Sequence, residues 1–529
     1  MKSLAFWLIL TFFAYRMRCL SPLTMGLSLV ALFAFFPVPH AFVVRSWVRM
    51  LRPRSLAVTE LASSNVTDDA PMPLPLLDED LGTATGWWQQ GDLGSVIQKM
   101  ARTRNAKIRL AAMMYYPQHH AAEEGILRLE PRKCDQDDAP GALRLGDQRM
   151  IDLGTLGYLG LTNSERYRRA IVEALDKYGA TFCISPQWMR DPFALETTHL
   201  VETVFGRPAI LAKSCSIATF HFFSSVIKYD PHVAVIIDAD AHESLRDQAT
   251  SLAQVEHSSV MRGMFDYQEL EELVTKMKNL SGAKTIWYVA DGQVSLTGEQ
   301  IPVRPLLELQ KRHPELWVFC DDAHGAGWSG KGGIGHAPEL VLQEADTNAE
   351  GFAEEANRWV IATSFSKGFA ADGGALILPD QQTKEFVELF SPFSRAMCAR
   401  LPTADLAMIH EAMKMSLDGT IDHLQAELHE RINYLHTAYR RHLKHLMDIP
   451  LEISCRPVLH IPLDMELDEV IRLVKELHNR GIFVAPTGPP AAAGLGLRLT
   501  VQPTTTHNDI DTFFTTIAEL LERSVGKNT

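Results

Sequence analysis

The chain has 529 residues, 46% of them hydrophobic and 22% charged, a composition typical of a globular enzyme with about two or three domains. The net charge is −13, and residues 1–57 hold seven Lys and Arg but no Asp or Glu, so the rest of the chain is still more acidic. That acidity argues against nucleic-acid binding. Seven dispersed cysteines without a CxxC pair argue against a disulfide framework and a structural zinc site, and no metal is predicted.

The N-terminal segment, residues 1–57, is predicted to be a hydrophobic anchor or a targeting leader. Cys19–Val44 is a run of 26 residues without a charged side chain, long enough to cross a bilayer, and four arginines follow within residues 45–54. As a retained anchor, this segment would hold the body on the cytoplasmic side of a membrane, as in the endoplasmic reticulum. The alternative is a leader that is removed on entry into an organelle, a plastid or a mitochondrion, because the segment is arginine-rich and free of acids.

Residues 58–144 are predicted to form a linker and an N-terminal extension. Residues 58–85 are rich in Pro, Asp, Ser and Thr, a composition typical of a linker. A helix is predicted at Leu93–Arg104. The pair Trp87-Trp88 precedes that helix, and we expect it to pack against the body of the protein rather than to carry a function of its own.

From residue 145 onward, the pattern alternates between strands and helices, as in an open α/β sheet. The strands predicted within residues 145–401 are Ala209–Ala212, Val233–Ile237, Thr285–Val289, Leu316–Cys320, Trp359–Ala362 and Gly373–Leu378. The helices predicted there are Ser164–Tyr178, a helix from Ser214 through Ile227, and Gln268–Leu280. Polar residues follow several of these strands, and open α/β sheets bind ligands at the carboxyl ends of their strands.

Residues 402–529 are predicted to form a smaller α+β domain. It begins with a long helical region at 402–446. The other predicted elements are a strand at Val458–Pro462, a helix at Leu467–Arg480, strands at Ile482–Ala485 and Leu497–Val501, and a terminal helix from Asn508. We therefore expect a large α/β domain at 145–401 followed by a small domain at 402–529.

Two neighbouring strands deliver the residues of a carbonyl cofactor site. The strand Leu316–Cys320 runs into Asp321 and His324, and the strand Trp359–Ala362 runs into Ser364 and Lys367. A lysine can form a Schiff base, an acid can keep a ring nitrogen protonated, and hydroxyl groups can bind a phosphate. This combination predicts a site for pyridoxal 5'-phosphate.

A literal GxGxxG at Gly325–Gly330 raises the alternative of a dinucleotide site. In such a site the glycines lie at the strand-to-helix turn itself, and an acid follows about 20 residues later, after a second strand. Here the residues DDAH separate the strand from the glycines, and the following residues SGKGGIGHAPEL are too rich in glycine for a phosphate-binding helix. A flexible loop is the favoured interpretation.

Five stretches, in the family's order, resemble the α-oxoamine synthase family of pyridoxal-phosphate enzymes. They are TLGYLGLTNSERYRRAIVEALDKYG (155–179), DADAHESLRDQA (238–249), LWVFCDDAHGAGWSGKGGIG (316–335), ATSFSKGFAADGG (362–374) and IFVAPTGPPAAAGLGLRLTVQPTTTHNDID (482–511). The resemblance implies a fold-type I transferase, with a large mixed-sheet α/β domain and a smaller C-terminal α+β domain.

The resemblance also implies roles for the residues around the cofactor ring. Lys367 would hold the cofactor covalently and transfer the proton of the substrate α-carbon, and Asp321 would pair with the ring nitrogen. His324 and Ser295 would hydrogen-bond the phenolic oxygen. His242 would stack on the ring and help protonate the thioester carbonyl or the departing carboxylate.

Phosphate and substrate carboxylate have their own implied partners. Ser364 would bind the phosphate, together with the backbone N–H groups of Ser216 and Ile217 at a helix N-terminus, where the family usually has a glycine and an aromatic residue. Arg498 would bind the carboxylate of the amino acid in a bidentate pair, for which its planar guanidinium is suited.

The implied reaction is the decarboxylative condensation of an amino acid with an acyl thioester, on coenzyme A or an acyl-carrier protein, to an α-oxoamine. A role like that of serine palmitoyltransferase is one candidate. The alternatives are an aminotransferase and a non-catalytic partner subunit, although Lys367, Asp321 and His324 together argue against a silent subunit. The implied assembly is a homodimer or a heterodimer with a paralogue, with membrane contact through the N-terminus.

Overall fold

Most of the strands and helices predicted from residue 145 onward are present in the computed structural model. It describes residues 143–145, 148–181, 189–230, 232–251, 258–346, 351–392, 400–446, 456–487 and 495–525. The predicted N-terminal anchor or leader, the linker, the helix Leu93–Arg104 and the pair Trp87-Trp88 lie outside these residues. Within them, no helix combines the length and the apolar character that a membrane span requires.

Thirteen strands occur in the described residues. They are β1 (Leu143–Leu145), β2 (Gln148–Asp152), β3 (Ala209–Ala212), β4 (Val233–Ile237), β5 (Ser258–Val260), β6 (Thr285–Asp291), β7 (Leu316–Asp321), β8 (Trp359–Ser364), β9 (Gly374–Ile377), β10 (Val458–Pro462), β11 (Ile482–Phe483), β12 (Ala485–Thr487) and β13 (Gly496–Thr500). The strands predicted within residues 145–401 are all present, with ends shifted by two residues at most.

The same residues contain thirteen α-helices. They are α1 (Glu165–Tyr178), α2 (Pro192–Phe205), α3 (Cys215–Phe222), α4 (Glu243–Ser251), α5 (Tyr267–Ser281), α6 (Val303–Arg312), α7 (His336–Asp346), α8 (Ala353–Ala356), α9 (Gln381–Phe390), α10 (Thr403–Leu417), α11 (Thr420–His442), α12 (Leu467–Asn479) and α13 (His507–Val525). A π-helical turn, Phe223–Ile227, continues α3 to the residue at which the predicted helix ends.

A seven-stranded sheet with the order β3-β9-β8-β7-β6-β4-β5 forms the centre of the fold. Strand β9 runs antiparallel to both of its neighbours, and the other pairs are parallel. Strands β4 and β8 are buried along their whole length, as expected for strands covered on both faces. The carboxyl ends of β6, β7 and β8 therefore meet at one edge of the sheet.

Alternating side chains of the central strands enter two separate cores. In β6, Ile286 and Tyr288 pack into the larger core, whereas Trp287 and Val289 pack into the smaller one. Because successive side chains of a strand point to opposite faces, a run without polar residues is needed to fill both cores. This requirement explains why these strands are near-continuous apolar runs in the sequence.

The C-terminal region differs from the prediction at two places. The predicted strand Ile482–Ala485 is two short strands in different sheets, since β11 pairs with β2 and β12 pairs with β13. The predicted helical region at 402–446 is two helices, because the chain turns at Gly419, whose φ is 83°. The first of them, α10, contacts α1 through an ion pair between Arg166 and Glu411 of 2.7 Å, and the domain boundary at 401/402 stays a prediction.

The two glycine-rich loops that follow β7 and β8 contact each other through their backbones. A Cβ on Gly327 would lie 2.7 Å from the carbonyl carbon of Gly368, and the φ of Gly327 is 89°. A Cβ on Gly368 would collide with the carbonyl oxygen of Ala326 and lie 3.0 Å from the Cα of Gly327. The middle glycine of the GxGxxG thus packs one loop of the site on the other, and no dinucleotide site is needed to explain it.

Three further glycines leave room for the carboxyl group of Asp322. This group is fully buried, and a Cβ on Gly292, Gly325 or Gly335 would collide with it. One carboxyl oxygen accepts the N–H of Ala337 at 3.3 Å, at the start of α7. Burial raises the pKa of Asp322 well above its usual range, which favours the neutral acid here.

We expect Gly368→Ala to destabilise the protein by about 1–3 kcal/mol, the usual cost of forcing extra atoms into a packed site. The obstructing atoms belong to the backbone, so they cannot turn aside as a side chain would. Gly157→Ala is the matched control, because its new Cβ would meet only the Thr162 hydroxyl, at 3.3 Å. Urea unfolding of both variants measures the difference, and equal stabilities would contradict the loop contact.

Candidate active site

Parallel pairing brings the polar ends of three strands together. Asp291 at the end of β6 is in register with Asp321 at the end of β7, and Asp321 is in register with Ala362 of β8. Ser364 ends β8, and Lys367 follows three residues later. The aspartate and the lysine that the sequence singled out therefore lie at the same edge of the sheet.

Lys367 is half-buried among carboxyl groups and a thiol. Burial is the largest influence on its amine and lowers its pKa, while Asp321, Cys215 and Asp291 act in the opposite direction. Its ammonium group makes no hydrogen bond or ion pair with any residue that the structure describes. A buried amine with a lowered pKa and no fixed partner is the form in which a lysine reacts as a nucleophile or a base.

Asp321 is held by two donors. Its Oδ1 accepts the Sγ–H of Cys215 at 3.3 Å and the N–H of Ala323 at 3.1 Å. Beside it, burial and the charge of Asp321 together raise the pKa of Asp291 well above its usual range. The pair therefore favours a protonated Asp291 next to Asp321, since two carboxylates at close range repel each other and Asp291 is the more deeply buried of the two.

His324 is a buried, neutral histidine. Burial is the main cause that lowers its pKa well below the usual range, and Lys367, Arg498 and His242 add to it. Its Nδ1 lies 2.8 Å from the hydroxyl of Tyr158, which has no other hydrogen-bond partner in the described part of the chain. The hydroxyl therefore donates to Nδ1, and we assign the proton of the neutral ring to Nε2.

His242 lies at the mouth of the site, in the turn between β4 and α4. Its ring is exposed, and His242 is among the groups that lower the pKa of His324, so the two rings are neighbours. The N–H of His242 donates to Oδ1 of Asp291 at 2.9 Å. This bond ties the turn that carries His242 to the end of β6.

The N-terminus of α3 lies beside Ser364. Ser364 is in register with Gly374, and a Cβ on Gly374 would lie 2.5 Å from the N atom of Cys215, at the first turn of α3. The hydroxyl of Ser364 accepts the N–H of Ser366 at 3.2 Å. Free N–H groups at a helix start favour an anion, so Ser364 and α3 together can hold a phosphate.

One of the predicted phosphate donors already has a partner. The N–H of Ile217 donates to the hydroxyl of Ser214, the N-cap of α3, at 3.2 Å. A contribution from Ile217 would require this capping bond to give way, and its role stays a prediction. Ser216 also stays a prediction, as does Ser295, which is half-buried in the turn after β6.

Arg498 lies on β13, the central strand of the β10-β13-β12 sheet, and its guanidinium faces the site. Its Nε is buried without a hydrogen-bond partner among the described residues, and burial lowers its pKa. Tyr158 acts on the guanidinium in the opposite direction, so the two side chains lie near each other, and Arg498 in turn helps to lower the pKa of Lys367. An arginine buried with an unused donor is suited to a carboxylate ligand.

Sequence reasoning missed the roles of three residues that the structure brings into the site. Tyr158 lies within the quoted stretch at 155–179, and Asp291 lies two residues after the predicted strand Thr285–Val289, so both had a local signal. For Cys215 the sequence predicted no role in the site; it is buried and contacts Asp321. Nothing in the sequence pattern indicates that contact.

The described residues fit pyridoxal phosphate. They supply an unpartnered amine at Lys367, an anchored carboxylate at Asp321, the start of α3 next to the Ser364 hydroxyl, and an unused guanidinium donor at Arg498. These groups match the carbonyl, the ring nitrogen, the phosphate and the carboxylate of an amino-acid substrate, respectively.

Comparison with known proteins matches most of the chain to one family. Residues 148–517 match the family described as aminotransferase class I and II. The 8-amino-7-oxononanoate synthase of Fervidobacterium nodosum is 24% identical over 382 residues, which cover 69% of this chain and 87% of that protein. The serine palmitoyltransferase of Bacteriovorax stolpii is 23% identical, over 70% of this chain and 82% of that protein.

Solved structures share the fold. A serine palmitoyltransferase from S. paucimobilis has a TM-score of 0.64 and 19% identity, over 80% of this chain and all of that one. The 8-amino-7-oxononanoate synthase of Francisella tularensis has a TM-score of 0.53 and 19% identity, over 71% of this chain and 99% of that one. The predicted fold-type I transferase architecture is confirmed.

The buried His324 should make the protein sensitive to acid. Its pKa is lowered in the folded state from about 6.5 in the unfolded chain, so its contribution to stability is present above pH 6.5 and is lost as the pH falls below it. One such group adds at most about 1.4 kcal/mol per pH unit to the slope. We expect the unfolding free energy of His324→Gln to fall less steeply between pH 7.5 and 5.5 than that of the unmodified protein. Parallel urea-derived curves would contradict a neutral His324.

Proposed function

The chain belongs to the aminotransferase class I and II family, and we propose that within it the protein is a pyridoxal-phosphate-dependent acyltransferase. The reaction joins the α-carbon of an amino acid to the acyl carbon of a thioester, and it releases carbon dioxide and the free thiol. The product is an α-oxoamine. The observation that carries the proposal is the unpartnered guanidinium donor of Arg498 in the same site as Lys367. The curated relatives named 8-amino-7-oxononanoate synthase and serine palmitoyltransferase support it.

The cofactor would be held by residues that the fold brings to the edge of the central sheet. When bound, pyridoxal phosphate supplies an electron-withdrawing ring that stabilises negative charge at the α-carbon of the amino acid. The residues proposed to hold it are Lys367 at the carbonyl carbon, Asp321 at the ring nitrogen, His324 and Ser295 at the phenolic oxygen, and Ser364 with the N–H groups of Ser216 and Ile217 at the phosphate. His324 suits its role, because the proton assigned to Nε2 can be donated to that oxygen.

Lys367 is proposed to move the proton of the α-carbon. A base must be neutral to accept a proton, and burial lowers the pKa of Lys367 toward the pH at which enzymes work. Asp321 and Asp291 act to raise the pKa of Lys367. Because Asp291 favours its protonated, uncharged form, its contribution to that rise is small. Lys367 can therefore accept the proton at Nζ and return it to a later carbon centre.

Arg498 and His242 are proposed to orient the amino acid and the thioester. Arg498 would hold the substrate carboxylate by two parallel hydrogen bonds, which fixes the α-carbon near Lys367. His242, exposed at the mouth of the site, would place its ring against the cofactor and donate a hydrogen bond to the thioester carbonyl or to the departing carboxylate.

We expect the purified protein to turn yellow with pyridoxal phosphate and, after borohydride reduction, to carry one cofactor on the peptide that contains Lys367. A panel of amino acids and acyl thioesters should then give equal amounts of carbon dioxide and free thiol. Lys367→Ala should lose turnover by at least about a thousandfold, because the residue supplies both the attachment point and the base. Lys331→Ala, in an exposed loop, is the matched control and should behave like the unmodified protein.

Other outcomes of the same assay separate the alternatives. Turnover that needs a 2-oxo acid and releases neither carbon dioxide nor thiol would make the protein an aminotransferase. Failure to bind the cofactor would favour a non-catalytic partner subunit.

Arg498→Lys should raise the KM for the amino acid far more than the KM for the thioester, because Arg498 is proposed to hold only the carboxylate of the amino acid. An equal rise in both KM values would argue against this role.

We also propose that residues 1–57 direct the protein either to a membrane or into an organelle. They would act as a retained anchor with the body on the cytoplasmic side, or as a leader that is removed in a plastid or mitochondrion. The support is the uncharged run of 26 residues and the arginines that follow it. Mass spectrometry of the N-terminus in membrane and soluble fractions distinguishes the cases, and an intact N-terminus in the soluble fraction contradicts both.

A homodimer, or a heterodimer with a paralogue, stays a prediction, and light scattering of the purified protein can test it.

A further inference from the structure

His242 caps helix α4, and its backbone is fixed on both sides. Its carbonyl oxygen accepts the N–H of Leu245 at 2.9 Å and that of Arg246 at 3.0 Å, which begins the helix. Its own N–H donates to the buried carboxyl group of Asp291 at 2.9 Å. The position of the imidazole is therefore set by the start of α4 and the end of β6, and only the rotation and the protonation of the ring remain to be fixed.

The ring is fixed by Ser244, two residues along the chain. The backbone N–H of Ser244 donates to Nδ1 of His242 at 3.3 Å, and the hydroxyl of Ser244 lies 2.8 Å from the same atom. A backbone N–H can only donate, so Nδ1 acts as an acceptor. The proton of the neutral ring is then on Nε2, the nitrogen that Ser244 leaves free.

Ser244 also links His242 to the helix at which the phosphate is proposed to bind. Its hydroxyl lies 3.5 Å from the hydroxyl of Ser216, at the first turn of α3. Gln248, one turn further along α4, donates to the carbonyl oxygen of Ser216 at 3.1 Å. Two side chains of α4 thus hold Ser216, but only one of them also contacts His242.

We propose that Ser244 is a positioning residue that holds His242 in the tautomer with the proton on Nε2, so that Nε2 is the atom that donates to the substrate. This inference rests on the proposed function and assigns the donor atom within it. A histidine in the other tautomer would present a bare lone pair at Nε2 to a carbonyl or carboxylate oxygen, and it could not stabilise the negative charge that develops there.

The tautomer is measured by nitrogen NMR of the cofactor-loaded protein with labelled histidine. The signals of His242 are assigned among the 20 histidines by their loss in His242→Gln. We expect a protonated Nε2 and an unprotonated Nδ1, and the reverse pattern would overturn the proposal. In Ser244→Ala the two signals should move toward each other, because one of the two donors to Nδ1 is gone, and Ser244→Thr should restore them.

Kinetics give a second measurement. Ser244→Ala should lower kcat about three- to tenfold, the size expected for one lost hydrogen bond, with little change in the KM for the amino acid. Gln248→Ala is the matched control, because it removes the other contact to Ser216 and leaves the contacts of His242 in place. If Gln248→Ala lowers kcat as much as Ser244→Ala does, Ser244 acts through the phosphate helix and the proposal fails.

Failure of the proposed function is visible separately. If no amino acid and thioester give carbon dioxide and thiol, the proposed reaction is wrong, whereas the NMR signals still decide the tautomer. If condensation occurs and Ser244→Ala equals the unmodified protein in both signals and kcat, the reaction stands and the role of Ser244 is wrong.

Discussion

The burial of Lys367 beside two carboxyl groups is the constraint on which the site depends. Burial alone would drive the amine to its neutral form, and two ionised aspartates would hold it as an ammonium. The amine of Lys367 lies between these two limits, because Asp291 favours its protonated form and only Asp321 then offers it a negative charge. That balance requires the register of β6 with β7, since a shift by one residue would turn Asp291 to the opposite face of the sheet.

Much of the site could be predicted because its residues follow buried strands directly. The candidates Asp321, His324 and Lys367 were predicted in this way, from apolar runs that end in polar residues. Contacts between distant segments have no such signal: the bond between Tyr158 and His324 joins residues 166 positions apart. For the same reason, strand order and the division of Ile482–Ala485 between two sheets could not be read locally, because they depend on partners elsewhere in the chain.

The glycines of the site illustrate the limit of motif matching. The GxGxxG at Gly325–Gly330 has the spacing of a dinucleotide fingerprint, yet Gly327 is required because the loop after Lys367 crosses it at backbone distance. Gly325 is required because Asp322 fills the space that a side chain would occupy. The glycine pattern indicates only that the backbone at these positions lies close to another group. The fold identifies that group, which is the loop after Lys367 for Gly327 and the carboxyl group of Asp322 for Gly325.

The parallel pairing of β11 with β2 also has a consequence for synthesis of the protein. Ile151 pairs with Ile482, so β2 leaves the ribosome long before its partner exists. At about 5–20 residues per second, this delay is on the order of tens of seconds. During that time the edge of β2 that β11 covers in the folded protein stays unpaired, and unpaired strand edges favour aggregation and binding by chaperones. A chain that stops short of β11 would keep this edge open permanently.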